Sequence, residues 1–150
     1  MVQVYQLVET FNNFMKRKGE NIMSNVYEVV KAAVVEAVGA EPEDITMDAR
    51  LVEDLEAESL DIIDLLFKAG KQLGVKISMK ELQESFRGEI PEERFINEQG
   101  SVSEEGKRQL ASLFGEEAVG AFEGEINSKD LLKLLDVKYI VALFEGKLGE

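Results

Sequence analysis

The chain has 150 residues, enough for one ordinary domain with additions, and 45% of them are hydrophobic. That fraction is sufficient for a buried core and argues against wholesale disorder. Seventeen basic and thirty acidic residues give a formal net charge of −13. This charge disfavours binding to nucleic acid, because phosphate backbones are bound by lysine and arginine side chains that displace counterions. It suits partners with basic faces, although an acidic surface also simply keeps a protein soluble.

Cysteine and histidine are both absent from the sequence. Their absence excludes disulfides, thiolate nucleophiles and imidazole bases, and it removes the usual ligands of zinc. We therefore expect neither an enzyme nor a metal site. No apolar stretch approaches the roughly 18–20 residues needed to cross a bilayer, and the first 22 residues lack the layout of a signal peptide. We expect no stable membrane insertion and, by default, a cytoplasmic location.

Apolar residues recur at helical spacing from the beginning of the chain. Residues 2–16 predict an amphipathic helix, and a linker follows at 18–21. We interpret residues 1–22 as a helical extension that docks on the body of the protein or mediates dimers. The next helix is predicted to be capped by Ser24 or Asn25 and to end at Gly39. Its apolar positions are Val26, Val29, Val30, Ala33, Val34 and Ala37.

A long acidic loop, from Ala40 to Glu58, separates this helix from the following one. Loops of this length are usually functional or packed by their own side chains, and the apolar anchors of this one are Ile45, Met47, Leu51 and Leu55. The following helix is predicted from Ser59 to Leu73, with Gly74 as its stop. Its apolar residues are predicted to form one wide buried face: Leu60, Ile62, Ile63, Leu65, Leu66, Phe67, Ala69 and Leu73.

The rest of the chain predicts further short helices and no sheet. A helical turn is expected near residues 78–85, and a helix beginning at Ser103 presents Leu110, Leu113 and Phe114 on one face. Ser128 is predicted to cap another helical segment. The last helix carries Val137, Ile140, Val141, Phe144 and Leu148.

Ser59 stands in the segment Asp-Leu-Glu-Ala-Glu-Ser-Leu-Asp, residues 54–61, at the junction of the long loop and a helix. Serine is a preferred N-cap residue, so Ser59 taken alone is interpreted as a cap. The order of the surrounding elements changes that interpretation, because it resembles the acyl carrier protein family. In that family a first helix, a long acidic loop and a Gly-x-Asp-Ser-Leu type motif precede the second helix. The resemblance covers about residues 26–77 and 126–148.

The resemblance implies an acyl-carrier-like antiparallel helical bundle with a long first loop. It also implies that Ser59 carries a covalent 4'-phosphopantetheine arm, which holds acyl intermediates as thioesters for fatty-acid or specialised lipid biosynthesis. Two residues depart from the motif, since Glu58 replaces the usual aspartate and Glu56 the usual glycine. Later in the helix, Lys68 and Lys71 stand where the family tends to have acidic residues.

The partners implied by the resemblance are a phosphopantetheinyl transferase and acyl synthases or transferases with basic docking faces. From Glu41 to Asp64 there are ten acidic residues against Arg50 alone. Their mutual repulsion is offset only by a helix-dipole benefit of roughly 0.3–1 kcal/mol each, which favours a docking role over a merely solvated face. The predicted partner-binding residues are Glu53, Asp54, Glu58, Leu60, Asp61 and Asp64.

The predicted carrier domain spans residues 23–150, with a core at 23–78 and 126–150 and a helical insertion at about 79–125. Such an insertion before the last helix resembles the specialised long-chain carriers, whose cargo is destined for lipid A. Two alternatives remain open at this point. The alternatives to a fatty-acyl carrier are an unmodified acidic protein–protein adaptor and a carrier of non-fatty cargo such as aminoacyl or polyketide groups.

Overall fold

The computed structural model describes residues 22–122 and 124–149. Within these ranges the chain is helical and has isolated bridges but no strand, which confirms the predicted all-α class. The predicted N-terminal helix at 2–16 lies outside the described residues. Numbered in chain order, the α-helices of the described ranges are α1 Ile22–Val38, α2 Ser59–Leu73, α3 Met79–Arg87, α4 Glu92–Phe95, α5 Glu104–Phe114, α6 Glu116–Gly120 and α7 Val137–Leu148. Shorter 3₁₀ helices span Pro42–Asp44 and Ser128–Leu134.

The described residues form two compact units. The first contains the residues up to Ser78 together with those from Asp136 onward, and the second contains Met79–Leu135. The predicted division into a carrier core at 23–78 and 126–150 and an insertion at about 79–125 stays a prediction.

In the first unit, α1 packs against both α2 and α7. The apolar side chains of each helix recur every three or four residues and so face one another in the core. Because valines are weak helix formers, burial rather than local propensity stabilises the valine-rich α1. The core side chains of the three helices include Val26, Val30, Val34, Ile62, Leu65, Leu66, Ile140, Val141 and Phe144.

Helix α2 has the predicted bounds, from Ser59 to Leu73. Gly74 ends it in the left-handed conformation, with φ of 76°, which glycine adopts without the steric cost of a Cβ. The backbone N–H of Gly74 donates to the carbonyl of Gly70 at 2.8 Å. The stop signal in the sequence is therefore confirmed.

The prediction that all apolar residues of α2 form one buried face is wrong. Leu60, Ile63 and Phe67 are 75%, 46% and 67% exposed. Successive residues of an α-helix are rotated by about 100°, so these three side chains lie together along one flank of the buried side of α2. The buried side consists of Ile62, Leu65, Leu66, Ala69 and the backbone of Gly70.

The long loop between α1 and α2 is packed by its own side chains. The predicted anchors Ile45 and Leu51 are buried, whereas Met47 and Leu55 are half-buried. The Tyr27 hydroxyl on α1 donates to the carbonyl of Ile45 at 3.0 Å. The loop is thus fixed to α1 near its beginning.

The start of α7 holds the middle of the same loop. The N–H of Val137 donates to the carbonyl of Ala49 at 3.0 Å. The Lys138 ammonium contacts Asp48 at 3.0 Å and the buried Asp136 at 3.2 Å, and its hydrogen bond with Asp48 is the main cause that raises the pKa of Lys138. These contacts join residues that are about ninety positions apart, so the loop enters α2 from a fixed position.

The predicted helix caps have mixed outcomes. The helix predicted to begin at Ser103 begins one residue later, and Ser103 is its N-cap, because its hydroxyl accepts from the Gly106 N–H at 3.0 Å. The caps predicted at Ser24 and Asn25 are wrong, since α1 already includes Ile22. The cap predicted at Ser128 is also wrong, because Asn127 precedes the 3₁₀ helix and Ser128 is its first residue.

Within the second unit, α5 packs against α3, α4 and α6. The rings of Phe86 on α3 and Phe114 on α5 meet edge to face, with centroids 5.7 Å apart, an arrangement that aromatic pairs favour. Helix α3 extends beyond the predicted 78–85 turn to Arg87. An ion pair between Arg94 and Glu105 joins α4 to α5.

Candidate functional site

Ser59 is the first residue of α2, and it is exposed. The N-cap position belongs to Glu58 instead. The Asp61 carboxylate accepts from the backbone N–H of Glu58 at 2.9 Å, and the two acidic residues form a capping box that satisfies orphan donors at the helix start. Among the described residues, no hydrogen bond involves the Ser59 hydroxyl. The interpretation of Ser59 as a helix cap is therefore wrong, and its oxygen is free for chemistry.

The backbone just before Ser59 is held by a tight turn. Ala57 is buried, and its N–H donates to the carbonyl of Leu51 at 2.8 Å. The Asp54 carboxylate accepts from the backbone N–H of Arg50 at 2.8 Å. Asp54 thus stabilises the turn that leads into α2, in addition to adding charge beside the serine.

Glu56 lies within this turn in the left-handed region, with φ of 58°. This conformation costs an L-residue with a Cβ roughly 1–2 kcal/mol, whereas glycine adopts it freely. Glu56 stands where the resembling family usually has glycine. The backbone of Glu56 nevertheless keeps a conformation that favours glycine. The segment next to Ser59 is therefore locally strained.

We expect Glu56→Gly to raise the free energy of unfolding by about 0.5 kcal/mol, because relief of strain exceeds the added entropy of the unfolded chain. Urea unfolding followed by circular dichroism measures the change. Glu53→Gly is the matched control, since it removes the same charge from an exposed residue without a positive φ and should not stabilise. Equal changes in the free energy of unfolding of both variants would mean that the loss of a negative charge, and not the relief of strain, causes the effect.

The predicted partner-binding carboxylates have different surroundings. Glu53 is exposed, and no ion pair to it occurs among the described residues. Asp64 instead pairs with Lys68 at 3.0 Å, and Lys68 also lies 3.7 Å from Glu36 on α1. The hydrogen bond with Asp64 is the main cause that raises the pKa of Lys68. The charge at the Asp64 end is therefore locally balanced, unlike the charge around Ser59.

The apolar stripe of α2, which we define as Leu60, Ile63 and Phe67, follows directly after Ser59. The sequence analysis predicted a docking role for Leu60 and missed Ile63 and Phe67. A signal for them was present, because the apolar residues of α2 span more than half of its helical wheel, a wider arc than the stripe that a helix usually buries. Three exposed apolar residues on one helix face are more than the scattered single ones that a surface normally shows.

The described ranges lack two other kinds of feature. No group of three or more aspartate, glutamate, histidine or cysteine side chains is arranged to hold a metal ion in the part of the chain that the structure describes. None of the helices found between residues 22 and 149, Glu123 aside, is long and apolar enough to span a bilayer.

The start of α2 fits a phosphodiester attached to Ser59. The serine is exposed, so a long arm meets no steric obstacle at its oxygen. The helix dipole and free N–H groups of the first turn favour a negative group there. The carboxylates of Glu58 and Asp61 oppose it, which makes the position unsuited to free phosphate. A covalent bond tolerates this repulsion because it does not depend on affinity.

Comparisons with known proteins agree with this geometry. A family profile described as "Phosphopantetheine attachment site" matches residues 28–87. An acyl carrier protein of Zymomonas mobilis subsp. mobilis is 42% identical over 55 residues, 37% of this chain and 70% of the relative. An acyl carrier protein of Thermotoga maritima is 33% identical over 58 residues, 39% of this chain and 72% of the relative. The chain therefore belongs to the acyl carrier protein family and is a phosphopantetheine-bearing carrier for fatty-acid or lipid biosynthesis rather than a catalyst.

Proposed function

We propose that Ser59 is the residue to which the 4'-phosphopantetheine arm is attached. The observation that carries the proposal is the division of roles at the start of α2. Glu58 and Asp61 cap the helix, so the exposed Ser59 hydroxyl has no structural task among the described residues. Ser59 also lies inside the segment that matches the phosphopantetheine attachment profile.

When attached, the arm supplies the thiol on which acyl groups are held as thioesters, a chemistry that the cysteine-free chain itself lacks. A phosphopantetheinyl transferase moves the arm from coenzyme A to the Ser59 oxygen. That oxygen loses its proton and forms a phosphoester bond, while the pyrophosphate linkage of coenzyme A breaks and adenosine 3',5'-bisphosphate leaves. The capping box keeps the serine at a fixed position at the helix start, and the buried Ala57 limits movement of the backbone before it. The chain's own residues thus orient the oxygen and leave it accessible.

Intact mass after incubation with a promiscuous phosphopantetheinyl transferase and coenzyme A tests the attachment site. We expect one phosphopantetheine adduct on the wild type and none on Ser59→Ala. Ser128→Ala is the matched control, because Ser128 is also an exposed serine and the first residue of a helical segment, and it should retain the adduct. An adduct that survives Ser59→Ala would refute the assignment.

We further propose that the apolar stripe and the acidic residues around it form the face that docks partner enzymes. As an acyl carrier, the chain interacts with synthases and transferases. The exposed stripe supports apolar contact, and the carboxylates near Ser59 support attraction of cations. The acidic members of this face are Glu53, Asp54, Glu58, Asp61 and Asp64.

The two ends of this face differ in charge, which narrows the kind of partner that fits. In the part of the chain that the structure describes, no ion pair involves the carboxylates nearest Ser59, which are Asp54, Glu58 and Asp61. Around Phe67, Lys68 balances Asp64 and Glu36. A suitable partner presents basic residues toward Ser59 and an apolar pocket for Phe67. The cargo within the lipid class and the cytoplasmic location stay predictions.

A further inference from the structure

A surface groove of about 420 Å³ lies wholly within the second unit. One wall is a single face of α3, with side chains one and two turns apart, and the opposite wall is the 3₁₀ helix Ser128–Leu134. Its apolar lining includes Phe95 and Leu131, and both are buried. The volume falls in the range of about 300–1,000 Å³ that is typical of small-molecule sites.

The groove collects cations in a unit that is otherwise acidic. Lys80, Arg87 and Lys129 line it, against the carboxylates of Glu84 and Glu92. Residues 79–135 as a whole contain seven basic and thirteen acidic residues, so the sign of the charge is reversed in the groove. The three cations exceed the two carboxylates by one, and a concave surface with an excess of positive charge raises the local concentration of anions.

Two of these cations have no counter-ion among the described residues. The other basic residues of the second unit pair with carboxylates, except Arg108. Arg87 donates only to the carbonyl of Ile90, at 3.3 Å, and no ion pair involves Lys129. In a chain with thirty acidic residues, unpaired cations that share one groove are the observation that points to an anionic ligand.

We propose that this groove binds a small organic anion, with a carboxylate or phosphate head and a short apolar body. Arg87 and Lys129 contact the head, since charged donors make the strongest hydrogen bonds to such anions. The apolar body lies along the aliphatic stems of the cationic side chains and against the half-buried Ile96. Glu84 and Glu92 restrict the ligand to one head group, because their charge repels extended polyanions.

Titration followed by two-dimensional ¹H–¹⁵N NMR tests the proposal on the full chain. The probes are hexanoate and hexyl phosphate, compared with hexanol, which lacks the charge, and inorganic phosphate, which lacks the apolar body. We expect saturable shifts at the groove residues for at least one of the two hexyl anions, up to about 20 mM ligand. A comparison of hexanoate with hexyl phosphate then shows whether the groove binds a carboxylate or a phosphate more tightly.

Charge-neutralising variants separate the groove from general electrostatic attraction. We expect Arg87→Gln combined with Lys129→Gln to weaken binding by at least about tenfold. Lys129→Gln alone should weaken binding less than the double substitution. It replaces the double variant as the test if loss of the Arg87–Ile90 hydrogen bond disturbs the turn. Arg108→Gln is the matched control, because Arg108 is an exposed, unpaired cation on α5 that does not line the groove.

Three results would overturn the proposal. The first is the absence of saturable shifts with either hexyl anion. The second is equal weakening by Arg108→Gln, which would mean that any cation serves. The third is binding of hexanol or inorganic phosphate as strong as that of the hexyl anions, which would remove the role of the charge or of the apolar body. Ser59 plays no part in this test, so the result does not depend on the phosphopantetheine assignment.

Discussion

The double substitution Leu60→Ser, Phe67→Ser should lower kcat/KM for phosphopantetheinylation by about 30-fold or more, because exposed apolar anchors that fill a partner's pocket cost about 2 kcal/mol or more when truncated. The loss should appear mainly as a higher KM, since the stripe in its proposed docking role contacts the transferase and not the reacting oxygen. The measurement is the initial rate of adduct formation over a range of carrier concentrations. The free energy of unfolding, measured in urea, should change by less than about 0.5 kcal/mol, because both side chains are exposed.

The matched control for the stripe is Gln72→Ser. Gln72 is exposed on the same helix and, because successive residues are rotated by about 100°, lies well away from the stripe, so the control tests whether any change on α2 slows the transferase. We expect kcat/KM within about twofold of the wild type, as for surface changes away from a contact. A stripe variant that reacts as fast as this control would rule out apolar docking at α2.

The bounds of α2 and α7 were predictable because their signals are local and agree with tertiary packing. Gly74 marks the end of α2, and the spacing from Val137 to Leu148 marks α7. The start of α1 was predicted wrongly, since the helix begins at Ile22, before Ser24 and Asn25. A cap residue offers a single hydrogen bond, which is a weak signal for the residue at which a helix begins.

The family resemblance is the basis for proposing Ser59 as the attachment residue, but the local role of Ser59 at the helix start was not predictable from the sequence. A serine at a helix start is usually a cap, and only coordinates show that Glu58 and Asp61 take that role. The groove of the second unit also could not be predicted from the sequence. Arg87 and Lys129 are 42 positions apart, and pairing with carboxylates elsewhere in the fold decides which cations stay without a partner.

The same substitution at two helical glycines of the first unit should have opposite effects. Gly70 is in α2, where an added Cβ would lie 2.5 Å from the carbonyl oxygen of Val75. Because that neighbour is backbone, the contact is relieved only by moving the chain, and overpacking of this kind costs about 1–3 kcal/mol. Gly146 is in α7, where an added Cβ has no heavy atom within 4 Å. There alanine gains up to about 1 kcal/mol from its higher helix propensity.

We therefore expect Gly70→Ala to lower the free energy of unfolding by about 2 kcal/mol and Gly146→Ala to raise it by about 0.5 kcal/mol. Urea unfolding of both variants beside the wild type gives the two signs. If both substitutions raised the free energy of unfolding, helix propensity alone would determine their effects, and the chain after α2 would move easily to relieve the contact at position 70. The predicted opposition arises because the N–H groups of Gly74 and Val75 both donate to the Gly70 carbonyl, at 2.8 and 3.1 Å, which draws the chain back across α2. Glycine at position 70 is thus required by the same tight reversal that ends the helix bearing Ser59.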